Sequence, residues 1–174
     1  DKEWQFLKAA LDQSAGRLSK PEGLTWNAIR VSPDGSLLAA CSSDSLVTLF
    51  SLPGMTFIRE LRGHGGSVST LDFSRDGRFL VSGGRDHAVM VWKIPSGRLI
   101  VRNDRSFSQG IYQVRFSPDG KTIGVVSWER LKDRPPHIFG FVKLLDSSDG
   151  AEIARYELDN HPASAVLFTP GGKD

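Results

Sequence analysis

From Ser67 to Phe73 apolar and polar residues alternate, the two-residue period of a strand that buries one face. Arg75-Asp76-Gly77 breaks the run, Phe79 to Ser82 resumes it, Gly83 to His87 turns the chain again, and Ala88 to Ile94 makes a third apolar stretch. Pro95-Ser96-Gly97 then leads into Arg98 to Val101. The pattern predicts four short antiparallel strands joined by tight turns. Aspartate and glycine suit such turns, because glycine accepts positive φ and an aspartate side chain caps backbone donors.

This unit recurs along the chain. Ser32-Pro33-Asp34-Gly35, Ser74-Arg75-Asp76-Gly77, Ser117-Pro118-Asp119-Gly120 and, more loosely, Thr169-Pro170-Gly171-Gly172 each follow a short apolar stretch, the first three at steps of 42 and 43 residues. One small sheet cannot bury both of its faces alone, so a strand-rich repeat of this length predicts propeller blades stacked side by side. The expected fold is all-β, with four antiparallel strands per blade and about three complete blades at 25–62, 63–103 and 104–158. Parts of one or two more blades flank them, making an incomplete propeller. Residues 1–24 are expected to hold part of a preceding blade, since Leu11-Asp12-Gln13-Ser14-Ala15-Gly16-Arg17-Leu18 is similar to the stretch from Val91 to Leu99. Trp4, Leu7, Lys8 and Leu11 also suit one face of a short helix. Residues 159–174 are expected to begin a further blade, with Ala163 to Phe168 as its first strand. An open stack leaves strand edges and apolar faces uncovered, so a longer polypeptide, a second copy or a partner chain is expected to complete it.

Composition narrows the function. With 39% hydrophobic and 24% charged residues and no run of about 18 apolar residues, the chain reads as a soluble, cytoplasmic globular protein without membrane insertion. A net charge of +2 gives no electrostatic case for nucleic acid or anionic lipid. The single cysteine, Cys41, excludes an internal disulfide and a cysteine-rich metal site, and is expected to be a buried inert thiol. His64, His87, His137 and His161 are scattered and form no ligand set, and there is no phosphate-cradling glycine loop. No metal, cofactor or catalytic residue is expected.

The second repeat carries Gly63-His64, Val68, the Ser74-Arg75-Asp76-Gly77 turn, Ser82, Asp86 and Trp92-Lys93, where Trp-Asp would be usual. In these residues the chain resembles the WD-repeat β-propellers, over roughly residues 25 to 168. The resemblance implies a hydrogen-bonded quartet of His64, Ser82, Asp86 and Trp92 that staples the blade from within. Serine, histidine and aspartate together also invite a hydrolase reading, but the resemblance puts the serine inside the blade, and no nucleophile elbow or oxyanion-hole motif accompanies it. The other repeats keep the frame and lose the staple. Ala40, Asp44 and Phe50 stand in the serine, aspartate and tryptophan positions of the first, while Val125, Glu129 and Phe107 stand in the serine, aspartate and histidine positions of the third.

The resemblance further implies a scaffold without catalysis that binds a protein or peptide through one propeller face. The positions that project there match Thr25 and Ser43, Ser67 and Arg85, and Gly110 and Trp128. Arg62, Arg85, Arg105 and Arg130 then ring one face, as partner contacts or as solvated charges. Gly77 to Trp92 spans 15 residues and Gly120 to the matching Leu145 spans 25, so the third repeat carries an inserted loop near 129–139. Its prolines and charges suit an exposed excursion or a contact surface. A regulatory or assembly segment of a larger multidomain protein or enzyme complex is the alternative reading. A propeller enzyme and a nucleic-acid reader lack their motifs here.

Overall fold

The alternation seen in the sequence becomes strands wherever a turn of the Ser-x-Asp-Gly kind can reverse the chain. The computed structural model describes residues 23–130, 138–158 and 165–169. Among these there are twelve strands and no helix: β1 (Trp26–Val31), β2 (Leu37–Ser42), β3 (Leu46–Ser51), β4 (Thr56–Arg62), β5 (Val68–Phe73), β6 (Phe79–Gly84), β7 (Val89–Lys93), β8 (Arg98–Asn103), β9 (Ile111–Phe116), β10 (Thr122–Arg130), β11 (Ile138–Asp146) and β12 (Glu152–Leu158). They form three antiparallel four-stranded sheets, β1 to β4, β5 to β8 and β9 to β12, each in sequence order. These are three propeller blades, with β1, β5 and β9 as neighbouring inner strands, and they close no barrel.

The three turns between first and second strands share one construction. In the second blade the Ser74 hydroxyl donates to Asp76 Oδ1 at 2.7 Å and accepts from the Phe79 N–H at 2.9 Å, while the Arg78 N–H donates to the same carboxylate at 3.0 Å. Ser32 with Asp34 and Ser117 with Asp119 repeat these bonds. Gly35, Gly77 and Gly120 take φ near +70° (73°, 69° and 73°), which a side chain resists. Because the serine hydroxyl closes the turn onto the next strand, the motif fixes register as well as direction.

Equivalent residues of the three blades occupy equivalent ladder positions. Leu38 pairs with Phe50, Leu80 with Trp92 and Ile123 with Leu145. The cores lie between blades. Leu49, Val47 and Leu61 of the first blade pack with Leu71, Leu80, Met90 and Trp92 of the second. Val81, Val91 and Val101 of the second pack with Val114, Phe116, Ile123 and Leu145 of the third. On the far side of the first blade, Val31, Leu38 and Ala40 are buried beneath partly exposed Trp26, Ile29 and Phe50. Cys41 is fully buried between the first two blades, and desolvation pushes its thiol up to about 11, as suits an inert core residue.

Inner strands are also tied across the seams. The Asn27 side-chain amide donates to Ser67 Oγ and the Val68 carbonyl, the Val114 N–H donates to Thr70 Oγ1, and the Phe116 N–H donates to Asp72 at 2.9 Å. Arg115 adds a 3.1 Å bond to Asp72.

The inserted segment of the third blade differs in one respect from a loop beginning near residue 129. Ladder pairing continues through Glu129↔Phe139 and Arg130↔Ile138, so part of the added length prolongs a hairpin. Extended β-prone residues on both sides, Trp128 facing Gly140 and Ser127 facing Phe141, let the ladder run past the point where the other blades turn. Residues 131–137, with Lys132, Asp133, Arg134, Pro135, Pro136 and His137, lie outside the described residues, as do the proposed elements at 1–22 and the turn at 170–172.

Ala165 to Thr169 joins no ladder, unlike the first strand expected there. It nevertheless lies on the third blade as an inner strand does. The Val166 N–H donates to the Gln113 side chain, one repeat on from the bond between Val114 and Thr70. Phe168 and Val166 press on Gly124, where an added Cβ would lie 3.1 Å and 3.2 Å from their side chains. No helix among the described residues is long and apolar enough to cross a membrane.

Candidate functional site

Two constellations were singled out by the sequence, the quartet inside the second blade and the residues of one rim. In the first, His64 Nδ1 lies 2.9 Å from both Asp86 oxygens and Nε2 lies 2.8 Å from Ser82 Oγ. Trp92 Nε1 donates to the same hydroxyl at 2.9 Å. The carboxylate can only accept, which assigns the Nδ1 proton to the Asp86 bond and leaves Nε2 to accept from Ser82. Asp86 also takes the Gly65 N–H at 2.8 Å and the Ala88 N–H at 3.4 Å. The chain of bonds thus links the loop before β5, the end of β6, the turn into β7 and β7 itself.

This arrangement suits a staple better than a nucleophile. Ser82 is fully buried and Trp92 is 1% exposed, so no substrate reaches the hydroxyl. That hydroxyl donates to His64 Nε2 and accepts from the Trp92 indole N–H. Among the described residues there is no group of three or more His, Cys, Asp or Glu side chains that would hold a metal ion.

The other blades replace the staple in ways that position-by-position reading of the sequence did not reveal. In the first blade Asp44 accepts from the Ser42 hydroxyl, whose oxygen also lies 3.2 Å from the Leu46 carbonyl oxygen. In the third, Phe107 is buried against Val125 and Ile111, and Lys143 lies under its ring with Nζ 4.8 Å from the centroid. Lys143 is 2% exposed, donates to the Ser106 carbonyl and lies 3.6 Å from Glu152. It pairs with Val125 as Met90 pairs with Ser82, so a buried cation and an aromatic ring stand where the second blade has its imidazole and methionine. The alternation of β11 signals an inward residue at 143; only the charge disguised it.

Acid should loosen these bonds. Burial raises the Asp86 carboxyl, but the His64 bond and the Gly65 N–H together outweigh it and hold it below the ordinary value of 3.8. Asp34, Asp76 and Asp119 are lowered chiefly by their serine hydroxyls. A carboxyl depressed in the fold contributes stability above its unfolded value, and that contribution is lost as pH falls through the folded one. Asp72 acts in the opposite sense, because burial raises it and its protonation favours the fold. The depressed groups outnumber it, so the urea midpoint is expected to hold from pH ~7 to ~5 and fall between ~4 and ~2. A midpoint that rises over the acid interval contradicts the assignment.

The rim is the end of the blades where β5 and β9 begin and β6 and β10 finish. There the Arg85 N–H donates to the Ser67 carbonyl at 2.8 Å, and a Cβ built on Gly110 would lie 3.4 Å from Arg85 Cα. Ser67, Arg85 and Gly110 are therefore contiguous across the seam of the second and third blades. Trp128 follows Ser127, which pairs with Ile111, and so sits one strand further along. Arg62 and Arg105 lie at the ends of outer strands, away from this group, and Arg62 is held by Glu60. Thr25 and Ser43 are bonded to each other at 3.0 Å on the first blade. Arg130 occupies the last ladder position of β10.

One rim residue was missed by the sequence reading. Tyr112, at the start of β9, is 49% exposed and stacks on Trp128 with ring centroids 4.4 Å apart and an interplanar angle of 26°. Tyr112 is the extra residue of a bulge in β9, between Ile111 paired with Ser127 and Gln113 paired with Val126. An aromatic residue on the exposed phase of an inner strand was the available signal.

Comparison with known proteins agrees with this architecture. A family model described as WD domain, G-beta repeat, matches residues 23–51 and 55–93. The chain is also similar to Protein groucho of Drosophila melanogaster, 32% identical over 98 residues, which are 56% of this chain and 13% of groucho. The chain thus spans only a small part of that curated relative. The matched residues fall in the first two blades, which share the serine-aspartate turn, while the second alone carries the His64, Ser82, Asp86 and Trp92 quartet; residues 23–51 and 55–93 are thus similar to WD repeats.

Proposed function

We propose that this chain is a non-catalytic protein-interaction scaffold that binds a polypeptide through the rim where Ser67, Arg85, Gly110 and Trp128 gather. The observation that carries the reading is the continuity of that group across a blade seam. Three of its members touch or nearly touch, each adjoins the end of a strand, and the Arg85–Ser67 backbone bond ties two of them together. The Arg85 guanidinium has no hydrogen-bond or ion-pair partner among the described residues. Arginine and tryptophan are the residue types that most often dominate binding energy at interfaces. Arg62 and Arg105 stand further out at the same end of the blades. The test is capture of a polypeptide partner by the immobilised chain. Changing Arg85 and Trp128 together to alanine is expected to abolish capture, and a double variant that binds unchanged overturns the rim assignment.

A second reading, that the chain is part of a larger propeller assembly, draws on the segment at 165–169. Its bond to Gln113 and its packing on Gly124 repeat the way β9 meets the second blade. Strands from further sequence, a second copy or a partner chain are suited to pair with that segment and cover the far face of the third blade.

A further inference from the structure

At the end of the blades opposite the rim, we propose a second docking site, a groove across the ends of the inner strands that takes an acidic segment of a partner polypeptide in which carboxylate side chains adjoin large apolar ones. β5 ends at Phe73 and β9 at Phe116, and Phe168 precedes Thr169-Pro170 as those two precede Ser74-Arg75 and Ser117-Pro118. The repeat thus brings three phenylalanines to one groove of about 410 Å³, which Arg75, Arg115 and Leu167 also line. Phe73 and Phe116 are 7% and 8% exposed and belong to its floor, whereas Leu167 is 80% exposed and open to contact.

Arg75 is the residue that points to a ligand. The turn from Ser74 to Gly77 is closed by the Gly77 N–H, which donates to the Ser74 carbonyl at 2.8 Å, and Arg75 holds the second position, where proline is favoured. The first and third turns carry Pro33 and Pro118 there. An exposed arginine forgoes that rigidity, yet among the described residues its guanidinium makes no hydrogen bond or ion pair. A local rule broken without a structural gain marks a functional position. Arg115 supplies a second cation: it makes one 3.1 Å bond to Asp72, and its side chain stays 27% exposed. No carboxylate is among the lining residues, and Asp76 and Asp119 in the adjoining turns draw on Arg78 and Lys121 instead. Two cations beside an apolar floor attract an anion that carries apolar surface and repel a base. The Ser117 hydroxyl is committed to Asp119 and the Thr122 N–H, so the groove lacks the placed polar groups that orient a small molecule and suits side chains delivered by a longer chain.

The test uses the full chain and short labelled peptides in a glycine-serine background, acetylated and amidated so that their ends carry no charge. A central Glu-Leu-Glu-Phe is compared with Lys-Leu-Lys-Phe and with Glu-Ser-Glu-Ser by fluorescence anisotropy. The first is expected to bind tightest, with Glu over Lys by about fivefold, the scale of one exposed ion pair. Arg75→Pro gives the second turn the residue that the other two hold, so the urea midpoint should stay or rise while the preference for Glu falls to about twofold or less. Leu167→Ser should lower the affinity for Glu-Leu-Glu-Phe toward that for Glu-Ser-Glu-Ser and leave the preference for Glu over Lys. Arg98→Gln, which removes an equal charge from the outer strand β8, should leave both preferences as they are. Equal binding of the Glu and Lys peptides by the unaltered chain, or a preference that survives Arg75→Pro in full, overturns the proposal. If the Arg85 and Trp128 double variant erases the preference, the peptides are read at the rim and the groove is likewise overturned.

Discussion

Asp86→Ala is expected to destabilise the chain by about 3 kcal/mol, because bonds to an ionised acceptor contribute about 1.5–3 kcal/mol each and several end on this carboxylate. The Asp86 side chain is 10% exposed and that of His64 1%, so water does not readily replace what is lost. Alanine leaves His64 Nδ1 and the Gly65 N–H without their acceptor, and with the imidazole released, the Ser82 hydroxyl loses its orientation toward Trp92 Nε1. For a chain of this size the loss corresponds to a fall in melting temperature of roughly 6–12 °C. Asp104→Ala is the matched control: Asp104 is exposed and bonds only to Arg102 in the interactions described, so its loss is expected to leave the urea midpoint close to that of the unaltered chain. Urea unfolding of the two variants separates the outcomes, and equal midpoints would show that the quartet does not brace the blade.

The second blade was the most legible part of the sequence because every constraint on it is local and polar. His64, Ser82, Asp86 and Trp92 are types whose bonds depend on identity, and the Ser74–Asp76 turn announces both of its partners within five residues. The third blade was harder to read. Its substitute for the quartet joins Phe107 to Lys143 across 36 positions, and a lysine gives no warning that its ammonium will be buried against a ring and the Ser106 carbonyl. The insertion misled for a related reason. Residue count reveals added length but does not divide it between ladder and loop, and here Glu129 and Arg130 go to the ladder. At the rim, Arg85 and Trp128 follow from repeat spacing, whereas Tyr112 depends on a bulge that spacing alone does not indicate.

The same seam that assembles the rim also makes the strongest steric prediction. A Cβ on Gly83 would lie 2.5 Å from Ile111 Cγ2, 3.0 Å from Ile111 Cβ and 3.1 Å from Thr70 Cγ2. None of these neighbours gives way easily. Ile111 is 2% exposed and β-branched, with little rotamer freedom, and Thr70 holds the Val114 N–H across the same seam. Gly83→Ala must therefore push β9 away from β6, at a cost of about 2–3 kcal/mol. Because Ile111 follows Gly110, the displacement should also move the Arg85–Gly110 contact and weaken partner capture along with stability. Ile111→Ala alone leaves a cavity and is expected to cost about 2–4 kcal/mol. Combined with Gly83→Ala, it removes Cγ2, the atom that the new methyl strikes hardest, and leaves only the milder contacts at 3.0 Å and 3.1 Å. The double variant should consequently be at least ~1 kcal/mol more stable than the sum of the single losses predicts, the non-additivity of side chains in direct contact. Strict additivity in urea unfolding would mean that the two blades are not held in contact at Gly83, and the Arg85–Gly110 contact would then have to be set by something other than this seam.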